Sequence, residues 1–212
     1  MKSNNTNKPI ALIGYSGHAY VTVDIFLSMS RAVAAYCDYE EKLVNPFALK
    51  YLGKDSDKDV VELLKTYDYF IAIGDNISRR KISERLISKL SYSVNAIHTS
   101  SVISASASIG NGIFIAANVA INPLAKIGNG VICNTSCSID HECIIGDFAH
   151  IAPGAVLCGN VRVGENTFVG ANAVIKQGIT IGKNVMIGAG AVVIKNISDN
   201  ETVIGNPHKN LK

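Results

Sequence analysis

The chain has 212 residues, 48% of them hydrophobic and 17% charged, which is enough for one large or two modest domains with substantial cores. Its net charge of +3 is too small to favour a nucleic-acid partner. No apolar run approaches the roughly 20 residues of a membrane span, and Met1–Lys8 is polar, so we expect no membrane span, no signal peptide and a cytoplasmic location.

Residues 1–92 follow the order of a small α/β domain. The predicted elements are a strand over Pro9–Gly14, a helix to about Met29, strands over Arg31–Asp38 and Tyr69–Gly74, and an amphipathic helix over Ile77–Leu90. A strand, a glycine turn, a helix and a strand that ends in an acidic residue are typical of Rossmann-like nucleotide-binding domains. The sequence therefore predicts such a domain at the N-terminus.

The turn after the first strand, Gly14-Tyr15-Ser16-Gly17-His18, admits three interpretations. It is not a full GxGxxG, so a dinucleotide site has weak support. His18 stands where a GxSxG motif needs its second glycine, which disfavours a serine nucleophile elbow. A glycine turn at a helix N-terminus is the third interpretation, and it suits an anionic or nucleotide ligand. Asp38 and Gly74 end neighbouring strands at the edge where such sheets bind ligands, which favours binding over a purely structural turn.

The last helix of this half carries Arg79-Arg80-Lys81. These side chains have the charge to face a phosphate, but we interpret them as a solvated helix face. The join near Ser91–Asn95 is short, so we expect the domains on either side to pack against each other.

Residues 93–212 contain a strict six-residue period. From Ile97 to Val193 every sixth residue is an anchor, and sixteen of seventeen anchors are Ile, Leu or Val, with Cys133 the exception. A small or aliphatic residue stands four positions after each anchor, and glycine follows many anchors directly. This period predicts a hexapeptide parallel β-helix in which three hexads form one coil and residues eighteen apart stack at roughly 4.8 Å.

The five cysteines form no CxxC pair, and three of them occupy interior hexad positions. We interpret them as reduced core residues. A zinc site built from Cys133, Cys137, His141 and Cys143 is disfavoured, so we expect no metal.

Two histidines, His141 and His150, fall at outward positions in the centre of the β-helix. An outward histidine is ordinarily solvated, but Glu142 beside His141 is suited to fix its tautomer and raise its basicity, as a general base requires. Gly159 is eighteen residues beyond His141 and should lie one coil above it. Without a side chain, Gly159 would leave room for a ligand and expose a backbone N–H, which suits acyl transfer.

The hexad array, the Gly-x-Ser-Gly-His turn and the segment Asn134-Thr135-Ser136…Asp140-His141-Glu142 together resemble the left-handed β-helix acyltransferases. The resemblance is greatest to the nucleotide-activated amino-sugar N-acetyltransferases and the related sialic acid O-acetyltransferases. It implies a homotrimer with acetyl-CoA as co-substrate in the groove between neighbouring β-helices. The implied reaction is direct acetyl transfer to the amino group of a UDP-, dTDP- or GDP-linked 4-amino-6-deoxy sugar, used in bacterial surface or glycoprotein glycans.

The same resemblance implies roles for particular residues. His141 would be the general base, oriented by Glu142. The acetyl-CoA contacts would be His150 beside the thioester, the Gly159 backbone at the acetyl carbonyl, and the backbones around Ala171 and Ala189 along the pantetheine arm. The nucleotide-linked sugar would be held by Ser16, Gly17, His18, Asp38, Tyr39 and Gly74. The chain departs from the family pattern at Asp38-Tyr39, where two acidic residues are common, and at His208 in the C-terminal Gly-x-Pro-x-Lys segment.

Other classes fit less well. A β-helix metalloenzyme of the carbonic anhydrase type needs three convergent histidines, and His141 and His150 have no evident third. A non-catalytic β-helix would not need the α/β domain, and a fused nucleotidyltransferase would need a larger one. Within the family, the Asp-His-Glu motif and the predicted nucleotide site favour the sugar amine over sialic acid O-acetylation.

Overall fold

The computed structural model describes residues 8–211. Their first half forms a four-stranded parallel sheet, in the order β3-β2-β1-β4, with helices on both faces. The elements are β1 Ile10–Ile13, α1 Gly17–Ser28, β2 Val33–Cys37, β3 Lys50–Tyr51, α2 Lys58–Leu64, β4 Asp68–Ile71 and α3 Asn76–Ile87. The predicted strands and helices are present, whereas β3 and α2 were not predicted. Within the described residues, no helix combines the length and the apolar character that a membrane crossing requires.

Strand β1 is buried on both faces of the sheet. All four of its residues are buried. Ile10 and Leu12 belong to one apolar cluster, together with Phe26 of α1. Ala11 and Ile13 point the other way, into a second cluster that α2 and α3 complete. Parallel strands buried on both faces read as continuous apolar runs, which is how β1 appears in the sequence.

The second half is a parallel β-helix, as predicted. Each strand has two residues in most coils and pairs with the strand eighteen residues further on, without a register shift from Ala96 to Val193. The anchors and the positions four residues after them fill the interior from Ile113 onward. Thr167 is a polar exception in this interior: its hydroxyl donates to the Gly182 carbonyl at 2.7 Å and accepts from the Val185 N–H at 3.1 Å.

Three sheets form the faces of the prism. The domain-facing sheet contains β5 Ala96–Ile97, β8 Phe114–Ile115, β11 Ile132–Cys133, β14 His150–Ile151, β17 Phe168–Val169, β20 Met186–Ile187, β22 Thr202–Ile204 and the antiparallel β23 Lys209–Asn210. The valine sheet contains β6 Val102–Ile103, β9 Ala120–Ile121, β12 Ser138–Ile139, β15 Val156–Leu157, β18 Val174–Ile175 and β21 Val192–Val193. The polar sheet contains β7 Ser108–Ile109, β10 Lys126–Ile127, β13 Ile144–Ile145, β16 Arg162–Val163 and β19 Thr180–Ile181.

The outward residues of the three sheets have different surroundings. On the domain-facing sheet, Phe114 and Ile132 are buried, because the α/β domain packs against this face. On the polar sheet the outward residues are mostly polar and exposed, as at Lys126 and Arg162. The valine sheet leaves Val102, Val156 and Val174 exposed, by 72%, 37% and 37%. One face of the prism is therefore largely apolar, and residues 8–211 of the same chain do not cover it.

Candidate active site

His141 occupies a corner between β12 and β13, on the prism edge shared by the valine and polar sheets (the His141 edge). Its backbone N–H donates to Asp140 Oδ1 at 2.8 Å, and Asn122 donates to the same oxygen at 2.8 Å from the coil below. The ring Nδ1 lies 3.1 Å from Glu142 Oε2. Since an ionised carboxylate only accepts hydrogen bonds, this contact assigns the proton of the neutral ring to Nδ1 and leaves Nε2 with a lone pair. The arrangement therefore suits proton abstraction by Nε2.

Gly159 stacks over His141, as the register predicts. The Asn160 N–H donates to the His141 carbonyl at 2.8 Å, which joins the two coils at this corner. The imidazole ring of His141 takes the place that a side chain at this position would fill, since a Cβ on Gly159 would lie 2.5 Å from Nε2. The Gly159 N–H has no acceptor among residues 8–211, so it is available to a ligand.

Ala171 and Ala189 lie on a different edge of the prism, between the domain-facing and valine sheets (the Ala171 edge). Their backbone N–H groups also find no acceptor in the described part of the chain. The residues expected to bind acetyl-CoA are thus not brought together along one edge of a single chain. The two edges that hold Gly159, Ala171 and Ala189 border the same apolar valine sheet.

His150 differs from the expectation for an outward histidine. It is 8% exposed, because it points from the domain-facing sheet into the α/β domain. Its Nε2 lies 3.2 Å from Asn134 Nδ2, and its ring packs edge-on against Phe168 at 4.9 Å. Burial, together with the charge of Arg79, lowers the pKa of His150 to about 3. It is therefore neutral at physiological pH.

The residues expected to hold the nucleotide-linked sugar have separate locations. Ser16 and Gly17, where α1 begins, line an open cleft of about 660 Å³, together with Tyr20, Glu40, Glu41 and Lys42, which sequence reasoning missed. Gly74 lies in a second cleft of about 510 Å³ that His150 also lines. The missed residues Glu40, Glu41 and Lys42 follow the carboxyl end of β2. Since open parallel sheets bind ligands at the carboxyl ends of their strands, this position in the sequence could have indicated them.

Asp38, Tyr39 and His18 are not on the walls of the first cleft. The Asp38 carboxylate accepts from the Tyr15 and Tyr39 N–H groups at 3.0 and 2.7 Å and pairs with Lys42 at 3.1 Å. It therefore closes the turn, while the Tyr39 side chain is 86% exposed. His18 packs against Phe114 at 4.4 Å, and burial, with the charge of Arg79, lowers its pKa to about 4.

Arg79 also contradicts its interpretation as part of a solvated helix face. It is 2% exposed and donates hydrogen bonds to backbone carbonyls in both halves of the molecule. Arg80 and Lys81 do reach the surface. Arg80 pairs there with Glu84 and Glu165.

The zinc site that the sequence disfavoured has no counterpart in the structure. Cys133, Cys137 and Cys143 are buried, whereas His141 lies on the outer edge. Among residues 8–211, no three His, Cys, Asp or Glu side chains are grouped so that they could hold a metal ion.

We expect the two buried histidines to make stability pH-dependent. His18 and His150 have pKa values lowered below 6.5 in the folded protein, so the unfolded chain binds protons first as the pH falls. The free energy of unfolding should be highest above about pH 6.5 and fall by up to about 1.4 kcal/mol per pH unit for each histidine below it. Urea unfolding followed by circular dichroism between about pH 6.5 and 5 measures this. A His18→Gln, His150→Gln double variant should show a shallower dependence, and an unchanged wild-type value would contradict the expectation.

The fold and the two edges agree with the acyltransferase class built on hexapeptide repeats, and comparisons with known proteins point to the same class. A family model described as the PglD N-terminal domain matches residues 9–86, and one described as a hexapeptide repeat of succinyl-transferase matches residues 160–195.

Solved structures resemble nearly the whole chain. A perosamine N-acetyltransferase variant from Caulobacter crescentus, in complex with CoA and GDP-perosamine, is 33% identical, with 96% of this chain and 97% of that chain covered and a TM-score of 0.91. The acetyltransferase domain of PglB from Neisseria gonorrhoeae, in complex with acetyl coenzyme A, is 32% identical, with 97% and 100% covered and a TM-score of 0.91. WeeI from Acinetobacter baumannii is 26% identical, with 96% and 99% covered and a TM-score of 0.76. The chain belongs to this family of β-helix acetyltransferases.

Proposed function

We propose that this protein transfers the acetyl group of acetyl-CoA to the amino group of a nucleotide-linked 4-amino-6-deoxy sugar. The observation that carries the proposal is the His141–Glu142 pair, whose 3.1 Å contact leaves Nε2 as a proton acceptor beside the unpaired Gly159 N–H. Similarity to proteins that bind CoA or acetyl-CoA, and in one case GDP-perosamine, supports the choice of both substrates.

In the proposed reaction, His141 Nε2 accepts a proton from the attacking amine as the new C–N bond forms. The Gly159 N–H donates to the carbonyl oxygen of the thioester as negative charge develops there. The C–S bond then breaks, CoA leaves as a thiol or thiolate, and the sugar carries the acetamide. Glu142 stabilises the imidazolium that forms on His141 in the meantime.

The separation of the two edges supports a site formed by more than one copy of the chain. Packing of three valine sheets around a common axis would bury Val102, Val156 and Val174, which are exposed in the single chain. It would also bring the His141 edge of one copy towards the Ala171 edge of the next, since both edges border that sheet. We therefore propose a homotrimer with acetyl-CoA between neighbouring β-helices. Sedimentation of the purified protein tests it, and a fully active monomer would contradict it.

A thiol-release assay tests the proposed reaction. Purified protein is incubated with acetyl-CoA and, in parallel, with UDP-, dTDP- and GDP-linked 4-amino-6-deoxy sugars, and with free and CMP-linked sialic acid. We expect thiol release with at least one nucleotide-linked amino sugar, and mass spectrometry should find one acetyl group on its nitrogen. Release with the sialic acids alone would contradict the proposed acceptor and favour O-acetylation.

A further inference from the structure

One buried guanidinium group makes hydrogen bonds to both halves of the molecule. Arg79, in the first turn of α3, uses all five of its N–H donors. Nε donates to the Gly130 carbonyl at 2.8 Å, Nη1 to the carbonyls of Ile73 and Gly74 at 3.0 and 2.9 Å, and Nη2 to Asn76 Oδ1 and the Phe148 carbonyl at 2.9 Å. None of these acceptors is a carboxylate.

This environment is unusual for a buried charge, which is ordinarily paired with an opposite one. Burial lowers the pKa of Arg79 to about 9, so the guanidinium remains charged at neutral pH. Neutral carbonyl groups accept all five of its hydrogen bonds, and the nearby Asp75 carboxylate stabilises its charge without accepting one of them. Each of these carbonyls would lose its hydrogen-bond donor if the guanidinium were removed. The loss would be costly, because a buried carbonyl without a donor is destabilising.

The acceptors lie in two different parts of the structure. Ile73 and Gly74 form the turn between β4 and α3 in the α/β domain. Gly130 and Phe148 are eighteen residues apart, on successive coils of the edge between the polar and domain-facing sheets. Asn76 extends the contact to the next coil, since its Nδ2 donates to the Asn166 carbonyl at 2.9 Å. The Gly74 turn is thereby fixed to three consecutive coils.

This turn carries one of the predicted sugar contacts and shares a cleft with one of the predicted acetyl-CoA contacts. Gly74 lines the second cleft together with His150, and the first turn of α1, with His18, packs against the same face of the β-helix at Phe114. We propose that Arg79 is a positioning residue that sets the place of the Gly74 turn relative to the β-helix, and hence the distance of the acceptor amine from the acetyl donor. This proposal rests on the proposed function for its kinetic consequence.

The substitution Arg79→Lys tests this positioning role while it keeps the positive charge. Lysine has three donors on a compact ammonium, so at least two of the five acceptors lose their partner. We expect the KM for the nucleotide-linked sugar to rise about tenfold or more, as for the loss of a hydrogen bond to a charged group. The KM for acetyl-CoA should stay within about twofold, because Gly159, Ala171 and Ala189 lie on other edges of the prism. His150 shares the second cleft with Gly74, but its ring is held by the β-helix residues Asn134 and Phe168.

Arg80→Met is the matched control. Arg80 is the next residue of α3 and also joins that helix to the β-helix, through Glu165 at 2.9 Å, but its side chain is one-third exposed. An exposed ion pair contributes little, so both KM values should remain within about twofold of the wild type. An equal shift in this variant would overturn the specific role of Arg79.

Hydrogen exchange supplies a readout that does not require the sugar substrate to be known. In the wild-type protein the amides of Ala72, Ser78 and Arg79 donate hydrogen bonds on either side of this turn. They should be protected from exchange, and fast exchange there would overturn the proposal without any variant. In Arg79→Lys, faster exchange should be confined to this turn and its neighbours, with the β-helix unchanged.

Two kinetic outcomes would also overturn the proposal. One is an unchanged KM for the sugar in Arg79→Lys, and the other is a parallel rise of both KM values, which indicates a general loss of structure. A wild-type protein that acetylates no nucleotide-linked sugar would contradict the proposed function instead, while the exchange data would still decide the role of Arg79.

Discussion

Replacing His141 by alanine is expected to lower kcat for acetyl transfer by about 10²–10⁴, the usual loss when a general base is removed. The variant loses the one ring nitrogen that Glu142 leaves free to accept the proton of the amine. The corner itself should persist, because the contacts of the residue 141 N–H with Asp140 and of its carbonyl with Asn160 are made by the backbone. Steady-state thiol release with a nucleotide-linked amino sugar measures the effect.

Two controls separate the loss of a base from the loss of structure. Sedimentation and calorimetric binding of acetyl-CoA should match those of the wild type. His98→Ala removes another surface histidine of the β-helix, one that contacts Ser100 at 2.8 Å in the first coil, and should leave kcat unchanged. Wild-type turnover by His141→Ala would exclude His141 as the base.

Adding a single methyl group at Gly159 should have a similar effect on catalysis. In Gly159→Ala the new Cβ would lie 2.5 Å from His141 Nε2, far inside van der Waals contact, and the ring would have to move. Gly159 does not have a positive φ, so alanine fits the backbone there. A displacement of about 1 Å in a reacting group costs on the order of 10²-fold in rate. We therefore expect kcat to fall about 10²-fold while the fold and its thermal unfolding are retained.

A double-mutant cycle tests whether this loss acts through the histidine. Once His141 is alanine, the methyl group of Gly159→Ala meets no ring, so the double variant should be only slightly less active than His141→Ala alone. Losses that multiply instead would show that Gly159→Ala acts independently of His141. Cys158→Ala, at the neighbouring position on the same edge, serves as the control and should retain wild-type kcat.

The β-helix could be predicted from sequence because its register depends on local repetition. Six-residue spacing places each side chain inside or outside the prism, and eighteen-residue spacing places Gly159 over His141. The α/β domain was predicted in its main strands and helices, where apolar runs are long enough to read. Strand β3, with two residues, and α2, with seven, carry too little pattern to be recognised.

What sequence reasoning missed depends on how the two domains meet. His150 and Arg79 occupy positions that would face water in either domain alone, and only the contact between the domains buries them. Nothing in the local pattern of Arg79-Arg80-Lys81 distinguishes the buried arginine from its exposed neighbour. The location of Ala171 on another edge than Gly159 was readable from the register, since their separation is not a multiple of eighteen. That a single chain does not bring Ala171 and Gly159 together follows only when the three faces of the prism are known.

The uninterrupted pairing of each strand with the one eighteen residues later also makes the length of the prism adjustable. Removing or duplicating eighteen residues beyond His141 would change the height by one coil, about 4.8 Å, and each remaining strand would still meet a neighbour of the same kind. The hairpin of β22 and β23, which closes the top, would move nearer to His141 or further from it while the corner around the histidine stayed the same. The proposed acetyl-CoA groove could therefore change in length during evolution without any change in the residues around His141.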